Sequence, residues 1–319
     1  MTLEELAGRF GAPPLPRVPQ WVLGTHRRRS ISFATGFEDA STFVVWVQAH
    51  GMTGDLRIHP ARPLLSADDR LEDLDLDSLV RLASVEGGIA ATSWAADIMR
   101  WSGWIGFQPY DKYPEPGLLR RVGDCMIEFA PSGIYVEDWR YQKSEPGLLA
   151  GLRLVAETMR DGTERPRTGG LVIAGDHALL VLDRRVPLAE GSRAQDLVRE
   201  SDDPVAALRQ ALDCSVDFAE RSRDGSFRVR ASTDPRREGS VLDIARSFIP
   251  GRTQAELLEL RDGDAAVASR LWRIDSLEGG REFPLATLAP PEQLAWLAAE
   301  ADTLIESVPR EGERLPRCA

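Results

Sequence analysis

At 319 residues and 35.2 kDa the chain is long enough to bury a large core and exceeds a typical single domain, so two domains are expected. With 50 acidic residues against 39 basic ones, the formal charge is -11 and the pI near 5.0, which leaves nucleic acid and anionic membrane outside the expected partners. Cys125, Cys214 and Cys318 are widely spaced and form no CxxC pair, so no disulfide framework is expected; the opening stretch MTLEELAGRFGAPPLPRVPQ has no long apolar run, and the expected location is cytoplasmic.

In chain order, Leu3 to Phe10 has the spacing of a short helix, stopped by Gly11 and the prolines at 13, 14, 16 and 19. The basic run His26-Arg27-Arg28-Arg29 lacks interleaved aromatics and reads as a solvated strand entrance, with an anion site as the alternative. The first strong strand is Thr42 to Ala49, followed by a turn over His50-Gly51-Met52-Thr53-Gly54 and a strand from Asp55 to Pro60. Counting back from that turn sets Val47 near Leu56 and Val45 near Ile58 on one face, with Gln48 near Asp55, Trp46 near Arg57 and Val44 near His59 on the other. Trp46 and Arg57 are then placed for a cation-π stack or a plain surface pair. His59, followed by Pro60, is open to three readings: a buried hydrogen-bonded residue, a surface residue, or an acid or base.

Asp68 to Ala83, with Leu71, Leu74, Leu79 and Leu82, reads as a helical excursion before two more strands, Gly88 to Trp94 and Ile98 to Phe107. On a period of two, Trp101, Ile105 and Phe107 share a face with Gly103, while Trp104 points the other way; glycines beside large rings mark a coil or tight bend. The loop from Gln108 to Gly117, rich in tyrosine and proline, is a rim, a lid, or an ordinary surface loop. In GDCMIEFAPSGIYVEDWRYQ a hairpin turns at Ala130-Pro131-Ser132-Gly133. If Ala130 pairs with Gly133, Phe129 faces Ile134 and Ile127 faces Val136 on an apolar side, while Glu128 faces Tyr135 and Met126 faces Glu137 on a mixed side that Trp139 continues. Such a face is either solvated or the wall of a pocket inside a barrel.

Leu148 to Met159 is a further strand and Asp161 to Thr168 a junction, giving expected domains at 21–160 and 169–308. The second opens with the hairpin GGLVIAGDHALLVLDR, which places His177 at a surface turn. A helical segment follows from Ser192 to Asp213, whose latter helix starts at Asp202, Asp203 and Pro204. Strands are expected over Cys214 to Glu220, Ser226 to Ser232, Gln254 to Leu260 and Ala265 to Ile274, the last pair joined by an Asp262-Gly263 turn; a final helix runs from Pro291 to Ser307. The two halves share this outline, so the expected fold class is mainly β: two antiparallel barrels or curled sheets in tandem, with short helical excursions and a C-terminal helix.

The strings FVVWVQAHGMTGDLRIHPARP, WSGWIGFQP and GIYVEDWR, with the AGDH turn, resemble an uncharacterised bacterial family similar to the fungal HRI1 proteins. The resemblance covers Thr42 to Arg184 and implies tandem lipocalin-like (calycin) barrels. The chain keeps Trp46, Gln48, Asp55, Arg57, Ile58 and Pro60, then Trp101, Phe107, Gln108 and Pro109, but has Ser102 and Gly106 where the family's W-H-R-x-I-D-F-Q-P run has histidine and aspartate. What it implies is an architecture and no particular chemistry.

Nucleotide-binding glycine loops, a GxSxG elbow and an HExxH zinc motif are all missing from the sequence. Histidines at 26, 50, 59 and 177 have no metal-ligand spacing, so neither metal nor cofactor is expected. Two functional classes stand: a barrel that binds a small, partly apolar organic ligand, and a cofactor-independent barrel enzyme such as a hydratase, isomerase or cyclase. Six of the eight tryptophans precede residue 142, so the first unit is expected to hold the pocket, with Trp46, Arg57, His59, Trp101 and Trp139 as its binding residues. For catalysis the candidates are Glu137 or Glu128 for proton transfer and Tyr135 as a hydrogen-bond donor.

Overall fold

In the computed structural model, which describes residues 1–10, 17–109, 115–188, 191–242, 244, 247–253, 255–261 and 264–305, the strands form two antiparallel sheets. After the N-terminal helix α1 (Leu3–Phe10), the first sheet contains β1 (Gly24–Phe33), β2 (Glu38–Asp39), β3 (Phe43–Gln48), β4 (Met52–Ile58), β5 (Glu86–Ala95), β6 (Ile98–Gly106), β7 (Gly117–Val122), β8 (Cys125–Phe129) and β9 (Tyr135–Tyr141). Neighbours pair in the order β2-β1-β3-β4-β5-β6-β7-β8-β9, and β9 returns to β1, closing a barrel of eight strands with β2 as a flap on its edge. Between β4 and β5 lies the helix α2 (Leu76–Leu82), shorter than expected, whose N-cap Asp75 accepts a bond from the Ser78 amide.

The second sheet is open and curled, with β10 (Gly147–Met159), β11 (Glu164–Ala174), β12 (His177–Leu182), β13 (Ser215–Arg221), β14 (Phe227–Ser232), β15 (Phe248–Pro250), β16 (Glu256–Leu260) and β17 (Val267–Arg281) in the order β14-β13-β12-β11-β10-β17-β16-β15. The expected helix at 192–213 is two helices, α3 (Ala194–Glu200) and α4 (Pro204–Leu212), and Asp203 caps the second with Pro204 at its first position. Both sheets belong to one compact unit, Met1–Leu285; a second unit, Ala286–Ala319, carries the helix α5 (Pro291–Ile305). The fold class is thus the expected one, mainly β with a closed barrel, a curled sheet, short helices and a C-terminal helix.

Several local expectations need correction. The basic run is no solvated entrance: it lies within β1, the strand that closes the barrel, and His26 is fully buried. Leu148 to Met159, expected to finish the first unit, is β10 of the second sheet, because Asp161-Gly162 turns the tight β10–β11 hairpin instead of linking domains. His177 opens β12 buried, its ring stacked on Phe218 at 5.9 Å. The expected Asp262-Gly263 turn, the loop residues 110–114 and Cys318 lie outside the described residues.

Both faces of β3 and β4 are buried. Val45, Val47 and Leu56 turn outward and join Leu149, Val172 and Leu179 of the second sheet in one core. The sheets approach closely where glycines stand: a Cβ on Gly54 would lie 2.7 Å from Leu179 Cδ2, and one on Gly170 would lie 2.5 Å from Ile89 Cδ1. Arg184 locks the junction with bonds to the carbonyls of Phe107 at 2.6 Å and Ala211 at 3.3 Å. The concave side of the second sheet is filled by α1, whose Leu3, Leu6 and Ala7 share a core with Leu148, Leu152 and Trp272. The inward face of β3 and β4, which carries Trp46, Gln48, Asp55 and Arg57, is left to line the interior of the first barrel.

Candidate functional site

The first barrel encloses a cavity of about 370 Å³, within the ordinary range for small-molecule sites, about 300–1,000 Å³. Trp46, Arg57, His59, Trp101, Glu128, Tyr135, Glu137 and Trp139, the eight residues singled out from the sequence, all line it. They meet there even though both expected registers are off. In β3–β4 the turn contracts to His50-Gly51, the Ala49 amide bonding the Met52 carbonyl, so Trp46 pairs with Asp55 and Val44 with Arg57. In β8–β9 the loop lengthens, and Glu128 faces Glu137 while Met126 faces Trp139. Each slip is two residues, and a slip of two changes the partner while keeping the face.

Their individual roles separate once partners are counted. Trp46 is buried and donates its indole N–H to Gln48 Oε1 at 3.0 Å, and Gln48 in turn donates to Thr92 Oγ1 and the Ala49 and Met52 carbonyls. Its ring stands edge-on to Trp101 at 6.1 Å and 73° and to Trp139 at 5.5 Å and 75°. A Trp46–Arg57 stack, one of the two arrangements open to that pair, is not among the cation-π contacts of the described residues; Arg57 instead folds back on Asp55, with Nε 3.0 Å from Oδ1 and Nη2 3.2 Å from Oδ2. Burial alone would lower the Arg57 pKa, but the charges of Asp55 and Glu137 outweigh it and raise it, so the guanidinium stays charged. His59 stands exposed at the mouth, its Nδ1 accepting a bond from the Ala61 amide.

The two glutamates differ in the same way. Glu137 is pinned by Arg28, whose Nη1 donates to Oε1 at 2.7 Å and whose Nη2 donates to Asp39 Oδ2 at 3.0 Å, across the β1–β9 seam. Glu128, 4 % exposed, has no ion-pair partner among the described residues. Burial first, and then the Glu137 charge, raise its pKa well above the ordinary carboxylate value, against weaker opposing pulls from Arg57 and the Trp139 indole. Burial and the facing Glu137 thus both favour the protonated form of Glu128. Tyr135, half-buried, has its phenol pKa raised by burial and by Glu128 and Glu137, so it is a neutral hydrogen-bond donor. Beneath Trp46 lies His26, 5.3 Å away between ring centres, its Nε2 on the Val22 carbonyl and its pKa pushed down to about 3 by burial.

Sequence reasoning missed Arg28, Asp39, Glu86 and Trp104, which also line the cavity. Arg28 was hidden in a basic run, yet strand alternation from His26 would have sent it inward; the register then shifts between Arg28 and Ser30, which keeps Ile31 and Phe33 on the inner side. An unbroken period of two points Trp104 away from the face of Trp101. A bulge sits opposite Ala90, with Gly103 at φ 63°, and the extra residue brings Trp104 to the same side as Trp101. Gln108 has a supporting role: it donates to the Ala83 and Val85 carbonyls and accepts from the Ala194 amide.

Two polar atoms of this wall, the Trp139 indole N–H and the Thr53 hydroxyl, are buried and make no hydrogen bond of ordinary geometry. Among the described residues no group of three or more His, Cys, Asp or Glu side chains is placed to hold a metal, and no helix is long and apolar enough to cross a membrane.

No protein-family model and no curated protein matches the chain. Among solved structures, the crystal structure of the uncharacterized protein YLR301w from Saccharomyces cerevisiae is similar at 10% identity and a TM-score of 0.44, over 80% of this chain and 98% of the yeast one. A likeness at that distance carries nothing about residues or chemistry.

Proposed function

We propose that the first barrel binds a small, partly apolar organic molecule in its cavity. The observation behind this reading is the combination of about 370 Å³ of space with a wall of four indoles among which a few polar side chains are set. Apolar rings supply the area and the few polar groups set the orientation, the usual division of labour in such sites. The strings that resemble the HRI1-like family fall largely on β3, β4, β6 and β9 of this barrel, which supports a distant kinship within that group. The test is ¹⁹F NMR of protein labelled with fluorotryptophan, titrated with a library of small aromatic and alicyclic compounds. Binders should move the resonances of Trp46, Trp101, Trp104 and Trp139 and leave that of Trp272, buried in the second sheet, in place; a library without effect, or effects centred on Trp272, would contradict the reading.

One observation favours a second reading, a cofactor-independent enzyme of the hydratase, isomerase or cyclase kind. Glu128 lies directly across from Glu137 on the wall that also carries Tyr135, and its pKa is raised by burial and by Glu137, the direction that general-acid help requires. Glu137 is the poorer candidate because its Oε1 is already engaged by Arg28 at 2.7 Å. Glu128→Gln that retains ligand binding but abolishes turnover of the bound compound would favour the enzyme; absence of any turnover by the unaltered protein would favour the carrier.

A further inference from the structure

The charge inside the cavity is one-sided. Among the described residues, Asp39, Asp55, Glu86, Glu115, Glu128 and Glu137 face it against two guanidiniums, Arg28 and Arg57. Both guanidiniums are already committed, Arg28 to Glu137 and Asp39, Arg57 to Asp55, so neither offers an unopposed positive charge to an anion. Glu115 is engaged by the amide and hydroxyl of Ser132 at the rim. Glu86 and Glu128 remain without an ion-pair partner among the described residues, Glu86 lying directly across the ladder from Arg57. Surplus carboxylate in a hollow of low dielectric attracts a cation far more strongly than the same groups in water.

The rings point the same way. Trp46 meets Trp101 at 73° and Trp139 at 75°, so three indoles cluster at steep angles to Trp46 in the cavity wall, which Trp104 and Tyr135 also line. The negative faces of such rings bind alkylammonium groups, and indole does so best. We propose that the ligand is an organic cation, a protonated or quaternary amine on a small apolar body, recognised by the indole walls together with Glu86 and Glu128. This rests on the reading of the cavity as a ligand site and adds the sign of the ligand's charge. The neutral apolar ligand and the carboxylate ligand are the competing occupants.

Binding a cation also draws on Glu128. The charged and titratable groups facing it are Glu137 and Tyr135 from β9 and Arg57 from β4, while β7 presents Gly117, where a Cβ would lie 2.7 Å from Glu128 Oε1. A cation alongside favours the ionised form, so its arrival expels the Glu128 proton to solvent and its affinity rises with pH.

The experiment is calorimetric titration of the full chain, between pH 5 and pH 8, with phenyltrimethylammonium, its neutral isostere tert-butylbenzene, and benzoate. Phenyltrimethylammonium has no proton of its own to lose, so any pH dependence belongs to the protein. It should bind about 10- to 30-fold more tightly than the isostere, tighten as pH rises, and lose that pH dependence in Glu128→Gln. Trp104→Leu should erase the preference for charge while keeping the isostere, which separates a lost cage from a lost fold. If tert-butylbenzene binds as well or better, the cation inference falls and the cavity reading stands. Benzoate binding tightest would overturn the inference in favour of the arginines, and no binding by any of the three would overturn the inference and the cavity reading together.

Discussion

Arg28→Met is the sharpest test of how the barrel closes. The Arg28 side chain is 7% exposed and reaches from β1 to Glu137 on β9, itself 6% exposed, at 2.7 Å. Its other arm meets Asp39, which is 19% exposed and already accepts bonds from the Ser41 amide and hydroxyl and the Thr42 amide. Methionine fills much of the same space but leaves Glu137 buried without its ion-pair partner and with only the more distant Arg57 charge to oppose it, whereas Asp39 keeps other donors. Stranding one partner of a buried pair costs about 3–5 kcal/mol, a large part of the total of about 5–15 kcal/mol that holds most domains folded. Urea unfolding followed by tryptophan fluorescence gives the loss, and Glu137→Gln in the Arg28→Met background should recover most of it because no bare charge remains. A loss below about 1 kcal/mol, or a double variant no more stable than Arg28→Met alone, would refute a buried, energetically coupled seam.

Three other outcomes follow from single residues. Glu128 has a folded pKa raised above its unfolded value, so the folded state holds the extra proton and stability falls as pH rises from the ordinary carboxylate range toward that raised value; Glu128→Gln should remove this fall, with a slope of up to about 1.4 kcal/mol per pH unit in urea titrations. His26 has the opposite sign: its pKa drops from 6.5 to about 3 on folding, so its contribution is complete above 6.5 and is lost as pH falls toward 3, and His26→Phe should flatten the acid side of the stability profile. The β5–β6 turn places Ala96 at φ 51° and Asp97 at φ 62°; asparagine tolerates that backbone better than alanine, so Ala96→Asn should raise stability by about 0.5–1 kcal/mol in thermal or urea unfolding.

How much of this was legible in the sequence depends on which error each residue tolerates. The face shared by Trp46, Gln48, Asp55 and Arg57, and the one shared by Glu128, Tyr135, Glu137 and Trp139, survived wrong turn lengths because both slips were of two residues. Partners did not survive them, and with the partners went the Trp46–Arg57 stack and the distinction between Glu137, which Arg28 holds, and Glu128, which has no ion-pair partner among the described residues. Trp104 was lost to a one-residue bulge at Gly103, an event that a fixed period cannot register. β1 reads in the sequence only as a solvated strand entrance because many of its residues are polar or basic; its burial against β3 and β9 is a tertiary effect with no local signature. The Asp161-Gly162 step reads as a turn on any scale, but whether a turn joins two strands of one sheet or two domains is decided by what the strands pair with far along the chain, here β10 with β17.

The central claim, that the first barrel is a binding site, is tested most directly by a crystal structure of the untagged protein isolated from its own host. Density for a small organic molecule is expected between the Trp46, Trp101 and Trp104 rings. A barrel in which Trp101, Trp104 and Tyr135 have closed over the space, or one that holds ordered water alone, would contradict it.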